Sequence, residues 1–180
     1  MNVYCPSCKG YRLEPKELEP GLIAGGCSKC HGNLIPLMNY RYWQENLSAQ
    51  LEPVTISIDT QDSSQAKICP KCSRLMSKFN IGNDTHNRLD MCIFCDEAWL
   101  DAGEWELLKQ LGLHDKLARI FTEEWQRDLR QQQKREAVRG RYRTLLGENN
   151  FDRVDQFKQW LDSHENRESI KQYLILKFDA

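Results

Sequence analysis

The sequence predicts a small α+β protein in which short β-hairpins, stabilised by something other than a large core, precede an α-helical region. Three observations predict it. Eight cysteines fall into four Cys-x-x-Cys pairs, the pairs form two sets of nearly equal spacing, and the chain from residue 101 onward has no cysteine and no proline and is dominated by Leu, Gln, Arg and Glu. Otherwise the composition is ordinary for a globular chain of 180 residues, with 28% charged and 40% hydrophobic residues and a mean hydropathy of -0.68. No run approaches the roughly 18 consecutive apolar residues that cross a bilayer. Met1-Asn2-Val3-Tyr4-Cys5-Pro6 has neither the basic start nor the apolar stretch of a signal peptide. The expectation is a cytoplasmic chain without membrane contact. A net charge of -1 excludes a globally basic nucleic-acid binder, although charge separated along the chain can still matter.

The two cysteine sets read Cys5-x2-Cys8-x18-Cys27-x2-Cys30 and Cys69-x2-Cys72-x19-Cys92-x2-Cys95, the second repeating the first with a single insertion in its longer gap. Four thiolates at this spacing are the ligand pattern of a tetrahedral structural zinc site, so two Zn2+ ions per chain are expected, on Cys5, Cys8, Cys27 and Cys30 and on Cys69, Cys72, Cys92 and Cys95. Disulfides need an oxidising compartment. A thioredoxin-type motif needs one reactive pair within a βαβ pattern, which is missing around these four. Iron in the same sulfur tetrahedron is the minor alternative that spacing alone leaves open. The two residues inside each pair let a tight turn aim both sulfurs at one point while its amides donate to the thiolates. Lys9, Lys29, Lys71 and Arg74 stand nearby in sequence to moderate the negative charge of each cluster. A module of about 40 residues is too small to fold on buried surface alone, so its metal takes the place of a core.

In order along the chain, residues 1–44 form the first ribbon. Residues 45–68 form a linker with a possible short strand at Val54-Thr55-Ile56-Ser57-Ile58 and a polar stretch from Asp59 to Gln65, leaving the two ribbons free to orient independently. The aromatic cluster Tyr40, Tyr42 and Trp43 is expected to cover a face of the domain beside it, and is the next surface to consider for a partner. Residues 69–104 form the second ribbon, with Leu75, Phe79, Ile81, Leu89 and Met91 on two short strands around a Gly82-Asn83-Asp84 turn. Residues 105–180 are helical. A short helix carries Leu107, Leu108 and Leu111. A long one begins near Asp115, carries Leu117, Phe121, Trp125 and Leu129 on one face, and ends near Leu146. A third carries Phe151 to Leu161, and a fourth Ile170 to Leu176.

Cys69-Pro70-x-Cys72 through Cys92-x-x-Cys95, followed by Trp99-Leu100-Asp101-x-Gly103-Glu104, resembles the small zinc-ribbon family named after the zinc finger of transcription factor IIB. The resemblance covers residues 69–104 and implies that the four cysteines are zinc ligands. Residues 5–38 look like a diverged copy, in which Leu34-Ile35 replace Trp-Leu and the acidic ending is missing. The family usually has glycines after the last cysteine where this chain has Asp96 and Glu97, so a turn without positive φ is expected there. Asp101 and Glu104 have the form of an N-cap and its capping-box partner, with Trp99 and Leu100 packing the ribbon against the helix that follows.

No catalytic residues emerge, because a full sulfur set leaves zinc no open position and His31, His86, His114 and His164 find no partners in sequence. The chain is read as a non-enzyme with no small-molecule substrate. Residues 126–143 hold seven cations against two anions, a local balance of +5 that leaves the rest at -6. At about 100° per residue, Arg127, Arg130, Lys134 and Arg141 lie within roughly 60° of one another. Such a stripe fits the phosphates of DNA or RNA, a solvated helix face, or acidic residues of the same chain such as Asp152, Asp155 and Asp162. The function expected is a nucleic-acid-associated, transcription-linked module, with a protein-binding adapter as the alternative.

Overall fold

In the computed structural model the described residues are 3–46 and 65–176. The expected strand at 54–58 and the polar linker lie outside them. The chain divides into two compact units, Met1–Gln131 and Gln132–Ala180. The first is α+β: strands β1 (Glu14–Glu19), β2 (Leu22–Gly26) and β3 (Asn33–Pro36) are followed by helix α1 (Leu37–Glu45). Strands β4 (Ser77–Asn80), β5 (Arg88–Cys92) and β6 (Glu97–Leu100) are followed by α2 (Glu104–Gln110). The sequence shift that lays Cys27 on Cys92 also carries β2 onto β5, β3 onto β6 and α1 onto α2.

All six strands belong to one antiparallel sheet in the order β1-β2-β3-β6-β5-β4. Its centre is the pairing of β3 with β6, where Leu34 faces Trp99 and Ile35 faces Ala98. Leu34 follows Cys30 at the same distance as Trp99 follows Cys95. These two equivalently placed residues are therefore Cα partners, and the flanking pairs Asn33–Leu100 and Ile35–Ala98 exchange about them as about a local two-fold axis. This corrects the expectation of independently oriented ribbons: β3 has no free edge, because the other copy's last strand completes its ladder.

Side chains of the central strands alternate between two buried environments, which is why they read as unbroken apolar runs. On one face Leu22, Ile35, Leu89 and Leu100 pack with Tyr40 and Trp43 of α1 and Trp105 and Leu108 of α2. Tyr40 and Trp43 are buried and Tyr42 is exposed, so only the last of these three is offered to solvent. The spacing Leu37, Tyr40, Trp43 is that of a helix face, which is what the segment forms. On the opposite face Leu13, Leu34, Met76 and Trp99 pack among the cysteines. Trp99 therefore turns to the metal side and Leu100 alone of that pair meets the helices.

Beyond α1, which was not expected as a helix, the helices differ from expectation in one place. His114–Lys116 makes a single 3-10 turn and α3 (Leu117–Ile120) stops before Phe121; α4 (Glu123–Leu146) then starts afresh. Thr122 is the reason, since its Oγ1 accepts the Trp125 amide at 3.3 Å in the manner of an N-cap. Gln126, buried, fixes the new direction by donating to the carbonyls of Asn80 and Ile120 at 2.8 and 3.0 Å and accepting the Asn80 amide at 3.2 Å. In the second unit, α4 continues to Leu146 and is followed by α5 (Glu148–Ser163) and α6 (Arg167–Ile175). Phe151 is buried beneath the guanidinium groups of Arg139 and Arg143. No helix of the described residues is long and apolar enough to cross a membrane.

Candidate metal centres

Each knuckle is a turn closed by backbone hydrogen bonds around a left-handed residue. In three of the four, the residue four past the first cysteine returns its amide to that cysteine's carbonyl: His31 to Cys27 at 3.0 Å, Ser73 to Cys69 at 2.8 Å and Asp96 to Cys92 at 2.9 Å. These are the described non-glycine residues with positive φ, at 58°, 60° and 56°. The expectation that the turn at Asp96 avoids positive φ is thus corrected. A short polar side chain tolerates that conformation at modest cost, and Asp96 is anchored there by the Arg41 guanidinium at 2.5 and 3.2 Å. The first knuckle is slightly longer, with Gly10 at φ 79° in the left-handed position and Cys5 donating its amide to Tyr11 at 2.7 Å.

The turns bring the sulfurs together. Sγ atoms of Cys5, Cys8, Cys27 and Cys30 lie within 4.8 Å of one another, and so do those of Cys69, Cys72, Cys92 and Cys95. A tetrahedron with bonds of about 2.3 Å places its sulfurs about 3.8 Å apart, and Cys5 to Cys30 is 3.6 Å and Cys72 to Cys92 is 3.5 Å. All eight cysteines are free of disulfides. In each set the first cysteine of each pair is buried and the second half-buried. Two metal ions fit this donor set. The amides of Ser7 and Cys8 point at Cys5 Sγ at 3.4 and 3.2 Å, the arrangement that stabilises a thiolate.

Without a cation the thiols of a cluster divide their protons unequally. The Arg74 amide draws Cys72 down to about 7, while a hydrogen bond from Cys72 pushes Cys95 up to about 12. Burial drives Cys69 upward. In the first set burial opposes ionisation of Cys27, but the amides of Cys30 and Lys29 bring it to about 7. Burial raises Cys5, and Cys30 to about 11.

Three of the four cations expected to moderate the clusters have other partners. Lys29 lies over the Tyr11 ring at 4.9 Å, Arg74 over Phe94 at 3.8 Å, and Lys71 pairs with Glu97. Lys9 is exposed. Asp101 and Glu104 divide the expected capping box. Glu104 Oε2 accepts the Asp101 amide at 2.7 Å and the Glu104 amide donates to the Asp101 carbonyl at 3.2 Å, while the Asp101 carboxylate takes the Trp99 indole N–H at 2.8 Å and the buried Lys67 at 3.1 Å. Gly103, with φ 82°, is the residue that precedes α2. His31 and His86 are exposed, while His114 uses its carbonyl to receive the Tyr40 hydroxyl at 2.7 Å. His164 lies against Trp160, and its Nδ1 accepts the Asn166 amide at 3.0 Å.

Arg127, Arg130, Lys134 and Arg141 are exposed on α4. Arg130 is held by Glu123 at 2.5 Å and Arg127 approaches Asp128 at 3.9 Å. Farther along, Arg139 makes a two-pronged pair with Asp155 at 2.8 and 3.1 Å, one of the intramolecular matches expected from the sequence, and Arg143 meets Glu148 at 3.2 Å. Asp162 pairs with Lys158 at 2.6 Å.

No family model, curated protein or solved structure matches the chain.

Proposed function

We propose that the chain is a double zinc-ribbon protein of the kind named after the transcription factor IIB zinc finger, acting by binding rather than by catalysis, with a protein as its partner. Zinc on each four-sulfur set would supply a tetrahedral cross-link and no open position for water or substrate. The observation that carries the partner is the apolar surface of the second unit, where Val154, Phe157 and Trp160 on α5 and Tyr173, Leu174 and Ile175 on α6 are exposed. Exposed patches rich in aromatic residues mark protein interfaces. Recovery of partners from native lysate tests the reading. They are expected to resist nuclease and high salt and to be lost from a Phe157→Ser, Trp160→Ser variant; partners that vanish on nuclease treatment overturn it.

A second reading, nucleic-acid association through α4, is favoured by Lys134 and Arg141, which have no ion-pair partner among the described residues. It predicts that an Arg127→Ala, Arg130→Ala, Lys134→Ala variant binds all DNA and RNA more weakly, with a log-log salt slope shallower by about two to three.

A further inference from the structure

The second unit has less interior than its length calls for. A segment of about 50 residues lies near the size below which buried surface alone seldom holds a fold, and metals, disulfides or association then supply the rest. The first unit has two sulfur clusters, whereas Gln132–Ala180 contains no cysteine. Among its described residues, Phe151 and Leu161 are the only buried apolar side chains. Its helices nonetheless carry the stripes of a larger core. Val138, Tyr142 and Leu145 stand at i, i+4 and i+7 on α4, and Val154, Phe157 and Trp160 recur every three residues on α5, all six exposed. Their open area is about 600 Å² per copy, so two copies covering it on each other would bury about 1,200 Å², the lower limit of stable specific interfaces.

Charge says which chain covers it. From 132 to 146 five cations stand against one acid, Glu136, whereas α5 has four acids with only Arg153 and Lys158 against them. Arg139 and Arg143 are met within the chain by Asp155 and Glu148. Lys134, Arg135 and Arg141 on α4 and Asp152 on α5 have no ion-pair partner among the described residues. The excess on one helix is thus opposite to that on the next. A second copy turned about a two-fold axis matches both at once, its α5 meeting this α4 and its α4 meeting this α5. Pairing α4 with its own image would set cation against cation, and a partner of a single sign would satisfy one helix and repel the other.

We propose that the second unit is a dimerisation module, in which α4 and α5 of one chain pack across α5 and α4 of a second copy. The inference rests on the protein-binding reading of this surface and names the partner. Closure about a two-fold axis leaves no copy of the face open, so association stops at two chains.

Sedimentation equilibrium of the metal-loaded full chain is expected to give twice the chain mass at micromolar concentration. A Tyr142→Ser, Trp160→Ser variant is expected to give the mass of one chain with its helical circular dichroism kept. A Lys134→Glu, Arg141→Glu variant and, separately, Asp152→Lys should each weaken self-association about tenfold at low salt, and mixing the two should restore dimers that contain one of each. Exposed charges of this kind cost the fold little, so if the apolar variant loses its helical signal the charge variants decide. A single-chain mass for the native protein up to about 100 µM overturns the proposal. Open-ended polymers, undiminished association of the folded apolar variant, or no preference for mixed dimers overturn it equally. A monomeric chain that still recovers other proteins through Phe157 and Trp160 overturns the dimer and leaves the wider protein reading standing, whereas a dimer that recovers none supports the module and confines that reading to self-association.

Discussion

The Trp99 ring occupies the space in which a side chain on Gly32 would have to stand: a β-carbon there would overlap Cζ2 and lie 2.9 and 3.0 Å from Cη2 and Cε2. Gly32→Ala must push Trp99 off its packing between the two clusters, at a cost of roughly 2–3 kcal/mol by the range for overpacked cores. A Trp99→Leu change should relieve the clash, because the other copy already pairs a leucine, Leu34, with a residue larger than alanine, Glu97. Chemical denaturation of both single variants and the double variant is expected to show strong non-additivity; simple addition would mean that the clash is absorbed elsewhere.

Gln126 is the polar side chain that holds the start of α4 to the end of β4. Gln126→Ala strips two carbonyls and one amide of their partners, and a loss of about 1–3 kcal/mol is expected. Hydrogen exchange at Asn80 should accelerate in the variant. Unchanged exchange there would place the restraint in Trp125 and Leu129 instead.

Proton release accompanies metal uptake with a defined sign. Cys95 lies at about 12 and Cys69 is raised by burial, so both remain protonated at pH 8 in the metal-free chain, whereas Cys72, at about 7, is already mostly ionised. A metal ion must displace the bound protons, and its affinity falls as pH falls. A titration in weak buffer at pH 8 is expected to release two or more protons at the second cluster. Cys72→Ser should abolish tight metal binding at that cluster. Because β6 is the partner of β3, it should also weaken the first ion, which metal analysis of the variant will show as less than one equivalent retained under chelator.

The Arg139 guanidinium hydrogen-bonded to Asp155 holds that carboxyl below the usual carboxylate range. A depressed folded value means that the pair's contribution is present above the unfolded value and is lost as pH falls through the folded one. Carboxyl NMR should find Asp155 titrating below the ordinary aspartate range, and Arg139→Gln should return it to that range. No movement on substitution would show that the pair does not persist in solution.

What was legible in the sequence was local. Cysteine spacing gave both sulfur clusters, and the helical period gave α2 and the helices of the second unit, because knuckles and helices are built from residues close in the chain. The joining of the ribbons was not legible in that way, since Leu34 and Trp99 belong to different repeats and neither residue type demands the other. A signal existed in the alignment of Leu34-Ile35 with Trp99-Leu100, which places both copies' last strands in register. Helix α1 was concealed by its aromatic residues, whose spacing of three was the better guide. The long helix imagined from Asp115 failed at Thr122, where a capping hydroxyl ahead of two glutamates outweighs an apolar stripe that runs through the break.

The pairing of like with like across β3 and β6 is the geometry of an isologous dimer drawn into a single polypeptide. Two separate halves would associate at a rate set by their concentration, but covalent connection makes their assembly first-order and independent of dilution. It also lifts the constraint that symmetry imposes. Identical halves must make every off-axis contact twice, once on each side of the axis, so a tryptophan resting on a glycine would have to occur twice or not at all. Here it occurs once, and the other side of the axis is free to hold a carboxylate.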